Sequence, residues 1–356
     1  MGLSVAMVSQ SSMRLEHLWR AFTEGERDFS GIDLAGANLQ QWRIDHVVFW
    51  GAHLTGANLI QARLRYAVLR AADLQNANLT QTDLRSTDLR DAVLTGATLT
   101  RARLGGALYN HHTAFPAGFD PGPAGMVRLD PGVALPVQDL RRRDFSGADL
   151  TAANFSGALL TQSCLFGAGL QSANLLSALL GHCDLRYTDL RQATLMQADL
   201  RGANLSYANL ERANLVGANL STCQLEGSYL HGALYSEATQ FPPDFQPPPL
   251  LYCLGPGATL AGAMLSGARL MGVDLQGADL AQTNLAQTNL AQANLAETNL
   301  AQANLENANL AGADFTGANL TGANLTGAIL TGATWATAKL DPALQHLRQV
   351  SLPPIP

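Results

Sequence analysis

A large apolar residue, nearly always Leu or Phe, recurs every fifth position from Phe29 through Leu34, Leu39, Ile44, Phe49 and Leu54 to Leu104. A second run goes from Leu140 through Phe145 to Leu230, and a third from Leu260 to Leu330, closing on Trp335. Two residues before each stands a small residue, as at Ala37, Ala57, Ala77, Ala148, Ala203 and Ala303. One residue before is usually Asp or Asn, as at Asp33, Asn38, Asn58, Asp73, Asn204 and Asn304. No simple element has this period. An α-helix would smear the leucines around its circumference, and a strand would send successive ones to opposite faces. The chain must turn about once per repeat, always in the same sense, so that each Leu points at a shared axis. Four such sides close a coil of about 20 residues, and coils stacked at roughly the 4.8 Å strand spacing satisfy one another's backbone groups. Asp and Asn suit the turns, because they bond local backbone groups and tolerate unusual φ and ψ.

With Ala203-Asn204-Leu205 and Ala281-Gln282-Thr283-Asn284-Leu285 as near-consensus units, the chain resembles the pentapeptide repeat family over most of its length. The resemblance implies an all-β fold, a right-handed quadrilateral β-helix, with the Leu and the preceding small residue inward and the other three positions facing solvent. The block style also resembles the multi-block arrays abundant in cyanobacteria.

Repeated punctuation divides the array. Arg27-Asp28-Phe29-Ser30-Gly31 and Arg143-Asp144-Phe145-Ser146-Gly147 open two blocks. Gly106-Ala107-Leu108-Tyr109 with Thr113, Phe115 and Phe119 closes one, and Gly232-Ala233-Leu234-Tyr235 with Thr239, Phe241 and Phe245 closes the next. The expected order is a capping helix in 1–27, repeats in 28–109, a Pro/Gly-rich loop at 110–139, repeats in 140–235, a Pro-rich loop at 236–259, repeats in 260–335, and a capping helix with a tail in 336–356. The loops are either spacers or recognition loops. Caps are needed because an open solenoid end exposes unpaired groups. Leu15, Leu18, Trp19 and Phe22 at helical spacing, with Ser11 or Ser12 as N-cap and Gly25 as stop, supply the first short terminal capping helix. Asp341-Pro342 followed by Leu344 and Leu347, with Leu340, supplies the second. One continuous rod and three jointed pieces both fit the sequence.

Chemistry is sparse. A packed leucine axis leaves no cleft, whereas small-molecule sites are concave. No catalytic, cofactor-binding or metal-ligating residue is assigned, and no cofactor is implied. His111-His112 is the one adjacent histidine pair, and no third ligand accompanies it. Cys183 and Cys223 fall in the small inward slot two coils apart, roughly 10 Å, too far for a disulfide. Cys164 falls outward, where a thiol is open to reaction. Thiols without pairing or metal spacing, and no secretory leader, point to a cytoplasmic location. No apolar run has the length of a membrane span.

At a net charge of −6 over 356 residues, the chain is only mildly acidic. Some pentapeptide repeat relatives mimic DNA and bind or protect DNA gyrase, which requires dense negative charge. Here Asp28, Asp33, Asp45, Asp73, Asp83, Asp88 and Asp91 of the first block face Arg43, Arg63, Arg65, Arg70, Arg85, Arg90, Arg101 and Arg103. Arg85, Arg90, Arg101 and Arg103 read as spread over successive sides, so no basic stripe is expected, and with no aromatic interleaving direct nucleic-acid binding is not expected either. The reading is a non-enzymatic scaffold for protein–protein interaction, its partner unidentified, with a gyrase-directed DNA mimic as the alternative. The resemblance allows a monomer or an end-to-end homodimer.

Overall fold

The computed structural model describes residues 10–248 and 250–347, and the chain divides into two compact units, Met1–Asp130 and Pro131–Pro356. Both are built of coils of a right-handed quadrilateral β-helix, in which residues twenty apart pair in parallel. In unit 1 the ladder reads Asn38, Asn58, Asn78 and Thr98 along one side.

One unit, Asn58–Ala62, shows how the period satisfies the backbone. The N–H of Asn58 donates to the carbonyl of Ala37 in the coil before (2.9 Å), and that of Leu59 to Asn78 in the coil after (2.8 Å). The N–H of Gln61 donates onward to Thr80 (3.0 Å), and that of Ala62 closes a β-turn on Leu59 (3.0 Å). Only the N–H of Ile60 is left, and the Asn58 side-chain carbonyl accepts it (3.2 Å). This explains the Asp or Asn before each Leu: it is an Asx turn serving the one donor that the ladder cannot reach. Unusual backbone falls elsewhere than expected, on the second residue after the Leu, where Gln41, Tyr66, Gln81 and Tyr207 take φ near +60°. A positive φ at the third position of a hydrogen-bonded β-turn is the signature of type II.

The core is the stacked Leu column with its small partners. Leu39, Leu59 and Leu79 are fully buried, as are Ala57 and Ala77. Where Thr, Ser or Cys takes the small slot, its polar hydrogen is donated to a core carbonyl: Thr82 Oγ1 to Leu59 (2.7 Å), Ser163 Oγ to Leu140 (2.8 Å), Thr298 Oγ1 to Leu295 (2.7 Å). A buried hydroxyl is tolerated because it is paired.

Helix α1, Gln10–Thr23, covers the first coil of unit 1. Leu18 is buried, Leu15 and Phe22 pack on the same cluster, and Trp19 meets Trp42 edge-on at 5.2 Å. Gly25 ends it at φ +107°. The N–H of Glu26 reaches back to Ala21 (3.0 Å) and that of Gly25 to Phe22 (3.2 Å), a Schellman closure. Ser11 and Ser12 lie inside the helix rather than at its cap.

The ladder runs further into both interruptions than loops at 110–139 and 236–259 imply. Strand β1, Leu108–Tyr109, pairs with β2, Val127–Arg128, and Val93 pairs with Ala114. Strand β3, Leu234–Tyr235, pairs with β4, Tyr252–Cys253, and Asn219 pairs with Gln240. In each case a corner absorbs one extra residue, and Thr113 or Thr239 in the small slot donates to Leu89 or Leu215 at 2.9 Å. The closing aromatics then cluster: Tyr109, Phe115 and Phe119 at 5.5 and 5.1 Å, and Tyr235, Phe241 and Phe245 at 5.6 and 4.6 Å.

The second and third repeat blocks share unit 2. Leu234, Leu254 and Leu260 join one apolar cluster, and the Asn214 side chain donates to the Arg269 carbonyl at 2.9 Å. At the far end Trp335 stacks on Phe315 at 4.4 Å. Before the cap expected from Asp341-Pro342, the chain adds one more ladder side, Lys339 pairing with Asn319; a 3-10 turn, Pro342–Leu344, follows, Leu347 is helical, and Leu340, Leu344 and Leu347 pack on the unit 2 core. Ala338 and Leu340 simply extend the pentapeptide pattern before Pro342 stops it. Residues 348–356 of that expected helix, and 1–9 of the first, lie outside the described residues. Among the described residues no helix is long and apolar enough to cross a membrane.

Candidate interaction surface

With every inward slot filled, chemistry is confined to the outward positions, and the twenty-residue coil decides which of them are neighbours. The commonest charged device is Asp-Leu-Arg. The Asp and Arg flank an inward Leu, so both side chains emerge on the same side two residues apart. Asp83–Arg85, Asp139–Arg141, Asp184–Arg186, Asp189–Arg191 and Asp199–Arg201 all close at 2.6 to 2.7 Å, and Asp88–Arg90 closes at 2.5 Å, almost fully buried. Each arginine donates through both Nε and a terminal nitrogen, as in Arg186 on Asp184. That hydrogen bond lowers the carboxyl pKa of Asp83, Asp184, Asp189 and Asp199, and takes Asp139 down to about 2. The Asp-Leu-Arg tripeptide is therefore self-neutralising, and the surface field is set by the charges left over.

Arg43, Arg63 and Arg103 of unit 1 gather on one side. Arg43 pairs in the ladder with Arg63, Arg63 with Asp83, and Asp83 with Arg103, so these four form one column. Arg65 and Arg85 stand beside it, and Arg101 sits at its corner, at the end of a row in which Gln41 donates to Gln61 (2.9 Å) and Gln61 to Gln81 (2.8 Å). The same side carries only Asp45 and Asp83 as acids. Asp45 meets Arg63 at 2.8 Å and Arg65 at 3.4 Å, and Asp83 is taken by Arg85. Arg43, Arg101 and Arg103 have no ion-pair partner among the described residues. Together with Arg63, Gln61 and Gln81 they line an open groove of about 530 Å³. Of the arginines expected on successive sides, Arg90 does lie on another side, paired with Asp88, but Arg85 and Arg103 differ by one coil minus two positions, which puts them on one side with Arg101 at its corner.

Aromatic rings also fall into rows the linear sequence hides. His46 stacks on Tyr66 at 4.9 Å, next to the arginine column. In unit 2 Phe166, Tyr187 and Tyr207 follow one corner at 5.4 and 5.2 Å. Adding twenty to a residue number finds His46–Tyr66 and Tyr187–Tyr207; Phe166–Tyr187 is one residue further on.

The thiols and histidines behave mostly as chemistry-free. Cys183 and Cys223 are buried and donate to Leu160 and Leu200, and burial pushes both thiols up to about 12. Burial also raises the pKa of Cys164, so its outward position does not make it a ready nucleophile. His111 and His112 lie with ring centres 3.8 Å apart, and His111 Nδ1 meets Asp130 Oδ1 at 2.6 Å. Burial works against the Asp130 carboxylate, but bonds from His111 and Arg128 outweigh it and lower its pKa. Among the described residues no three potential ligands gather round a metal position.

The expectation of no cleft fails most clearly at the joint within unit 2. A cavity of about 750 Å³ opens there, lined by Val216, Ser236, Leu251, Tyr252, Met271 and Asp274 among others. Among the described residues the buried Ser236 hydroxyl there has no hydrogen-bond partner.

Pentapeptide repeats are recognised in eight copies, over residues 43–81, 72–108, 138–165, 163–202, 195–232, 257–292, 274–310 and 293–332. No curated protein matches the sequence. Among solved structures the chain is similar to a pentapeptide repeat protein of Nostoc PCC 7120, at 38% identity over 32% of this chain and 94% of that one, with a TM-score of 0.32. It is similar to HetL, a pentapeptide repeat protein involved in heterocyst differentiation regulation in Nostoc sp. strain PCC 7120, at 26% identity over 90% and 96%, with a TM-score of 0.22. A third similarity is to QnrB1, a plasmid-mediated fluoroquinolone resistance protein, at 14% identity over 79% and 93%, with a TM-score of 0.24. The repeat matches cover more than half of the sequence, and the chain belongs to the pentapeptide repeat family.

Proposed function

We propose that this protein is a non-enzymatic scaffold that binds a protein partner through the side chains on its outer faces. The observation that carries the reading is that backbone and core are satisfied within the stack of coils, as Asn58–Ala62 shows, without calling on the outward side chains of the two residues after each Leu. The outward positions are thereby free to vary at fixed spacing, which is how solenoids build extended binding surfaces. Four free cysteines support a reducing, cytoplasmic setting. A tagged protein recovered from native lysate at low and high salt tests it. A stoichiometric protein partner is expected, and recovery of the chain alone under both conditions contradicts it.

The gyrase-directed DNA mimic finds less support. A mimic needs unbalanced acid along its faces, and here the Asp-Leu-Arg units cancel their own carboxylates. Purified protein is expected to leave gyrase supercoiling unchanged across a wide concentration range.

A further inference from the structure

We propose that the arginine side of unit 1 is a recognition face for an acidic protein segment that carries an apolar side chain at one end. This deepens the scaffold reading and rests on it. Six arginines, Arg43, Arg63, Arg65, Arg85, Arg101 and Arg103, face two aspartates on this side, while the chain as a whole is negative. In the Asp-Leu-Arg units the arginine is cancelled by the aspartate two residues earlier; here, among the described residues, Arg43, Arg101 and Arg103 are left without ion partners around one groove. Guanidinium groups at coil spacing offer planar, paired donors that match carboxylates. They are held on a ladder that does not need to order itself on binding.

The apolar end is specified by α1. Trp19 is 45% exposed, and with Trp42, Gln41 and Arg43 it forms a shallow recess at the helix-capped end of the same column. Tyr66, 52% exposed, borders the column from the other edge. Trp, Tyr and Arg are the residues that dominate protein–protein hot spots.

A protein segment is favoured over nucleic acid on three grounds. The basic column spans three coil spacings, roughly 15 Å, which is short for the multiple phosphate contacts of a polyanion. Two aspartates interrupt it. The rings beside it stack on each other, His46 on Tyr66 at 4.9 Å, rather than offering successive open faces to bases.

The test is fluorescence anisotropy with the full chain and three labelled probes: a tryptophan followed by six glutamates, the same peptide with six glutamines, and hexathymidylate. The glutamate peptide is expected to bind best at about 50 mM salt, and to weaken several-fold at about 300 mM. The double reversal Arg101→Glu/Arg103→Glu is expected to weaken it about tenfold or more, and Trp19→Ala to weaken it by a smaller factor. Arg212→Glu in unit 2 is expected to change nothing. The neutralising pair Arg101→Gln/Arg103→Gln serves if reversal disturbs folding, which circular dichroism reads. Absence of glutamate-peptide binding, binding indifferent to both double variants, or tighter binding of hexathymidylate overturns the assignment. Any of these leaves the scaffold reading standing, because that is judged separately by recovery of a partner from lysate.

Discussion

The Asx side chain before each Leu illustrates how a residue preference follows from one unmet donor. Asn58 accepts from the Ile60 N–H at 3.2 Å and donates to Asn38 in the coil before at 3.1 Å. Asn58→Ala is expected to cost about 1–2 kcal/mol, two ordinary hydrogen bonds' worth, read from urea unfolding. The left-handed corner position gives a second case. Gly36, at φ +65°, has nothing within 4 Å of an added Cβ, whereas at Gly227 that Cβ falls 2.6 Å from the Tyr207 ring. Gly36→Ala should cost about 1 kcal/mol, from the backbone alone. Gly227→Ala should cost roughly 1 kcal/mol more, because Tyr207 must leave its stack on Tyr187, and the excess should vanish when Tyr207→Ala accompanies it. At pH 8 a thiol reagent should leave Cys183 and Cys223 unlabelled until the chain is unfolded, since burial holds both near 12. Early labelling of either would show that the small slot is open.

At the scale of elements, the N-terminal cap and the block closures carry the ends of the core. Leu18 is buried under α1 against the first coil, so Leu18→Ala should destabilise unit 1 by about 2–5 kcal/mol, with a shift in Trp19 and Trp42 fluorescence. The five-residue period made the inward positions legible from Phe29 to Trp335, because one residue class repeats at one spacing. Gly25 as the helix stop was legible for the same local reason. The interruptions were not: a corner with one added residue reads as a broken repeat, although Thr113 and Ala114 still occupy their slots in space. At the other end Leu340, Leu344 and Leu347 were legible as the residues that cover the core, but the extra ladder side and the 3-10 turn before Leu347 were not, because the same leucines fit a helical face. The basic side was missed because Arg43, Arg63 and Arg103, at least twenty residues apart in the sequence, meet only through the ladder.

For the whole molecule, the repeated Asp–Arg pairs link stability to acid. Asp83, Asp184, Asp189 and Asp199 have their folded pKa lowered, first by the arginine hydrogen bond, from an ordinary value of 3.8. A lowered folded value means stabilisation that is complete above the unfolded pKa and is lost as pH falls through the folded one. Urea midpoints should therefore be level from pH 7 to about 4.5 and decline between about pH 4 and 2. A decline beginning near pH 6 would mean that other groups govern acid stability. The same cancellation leaves the unpaired arginines of unit 1 as the standing charge feature of its surface. Native mass spectrometry of the tagged chain recovered from lysate puts the binding account to its most direct trial. The account predicts a second polypeptide at fixed stoichiometry on the wild-type chain; the wild-type chain recovered alone, or with a partner of no fixed stoichiometry, would contradict it.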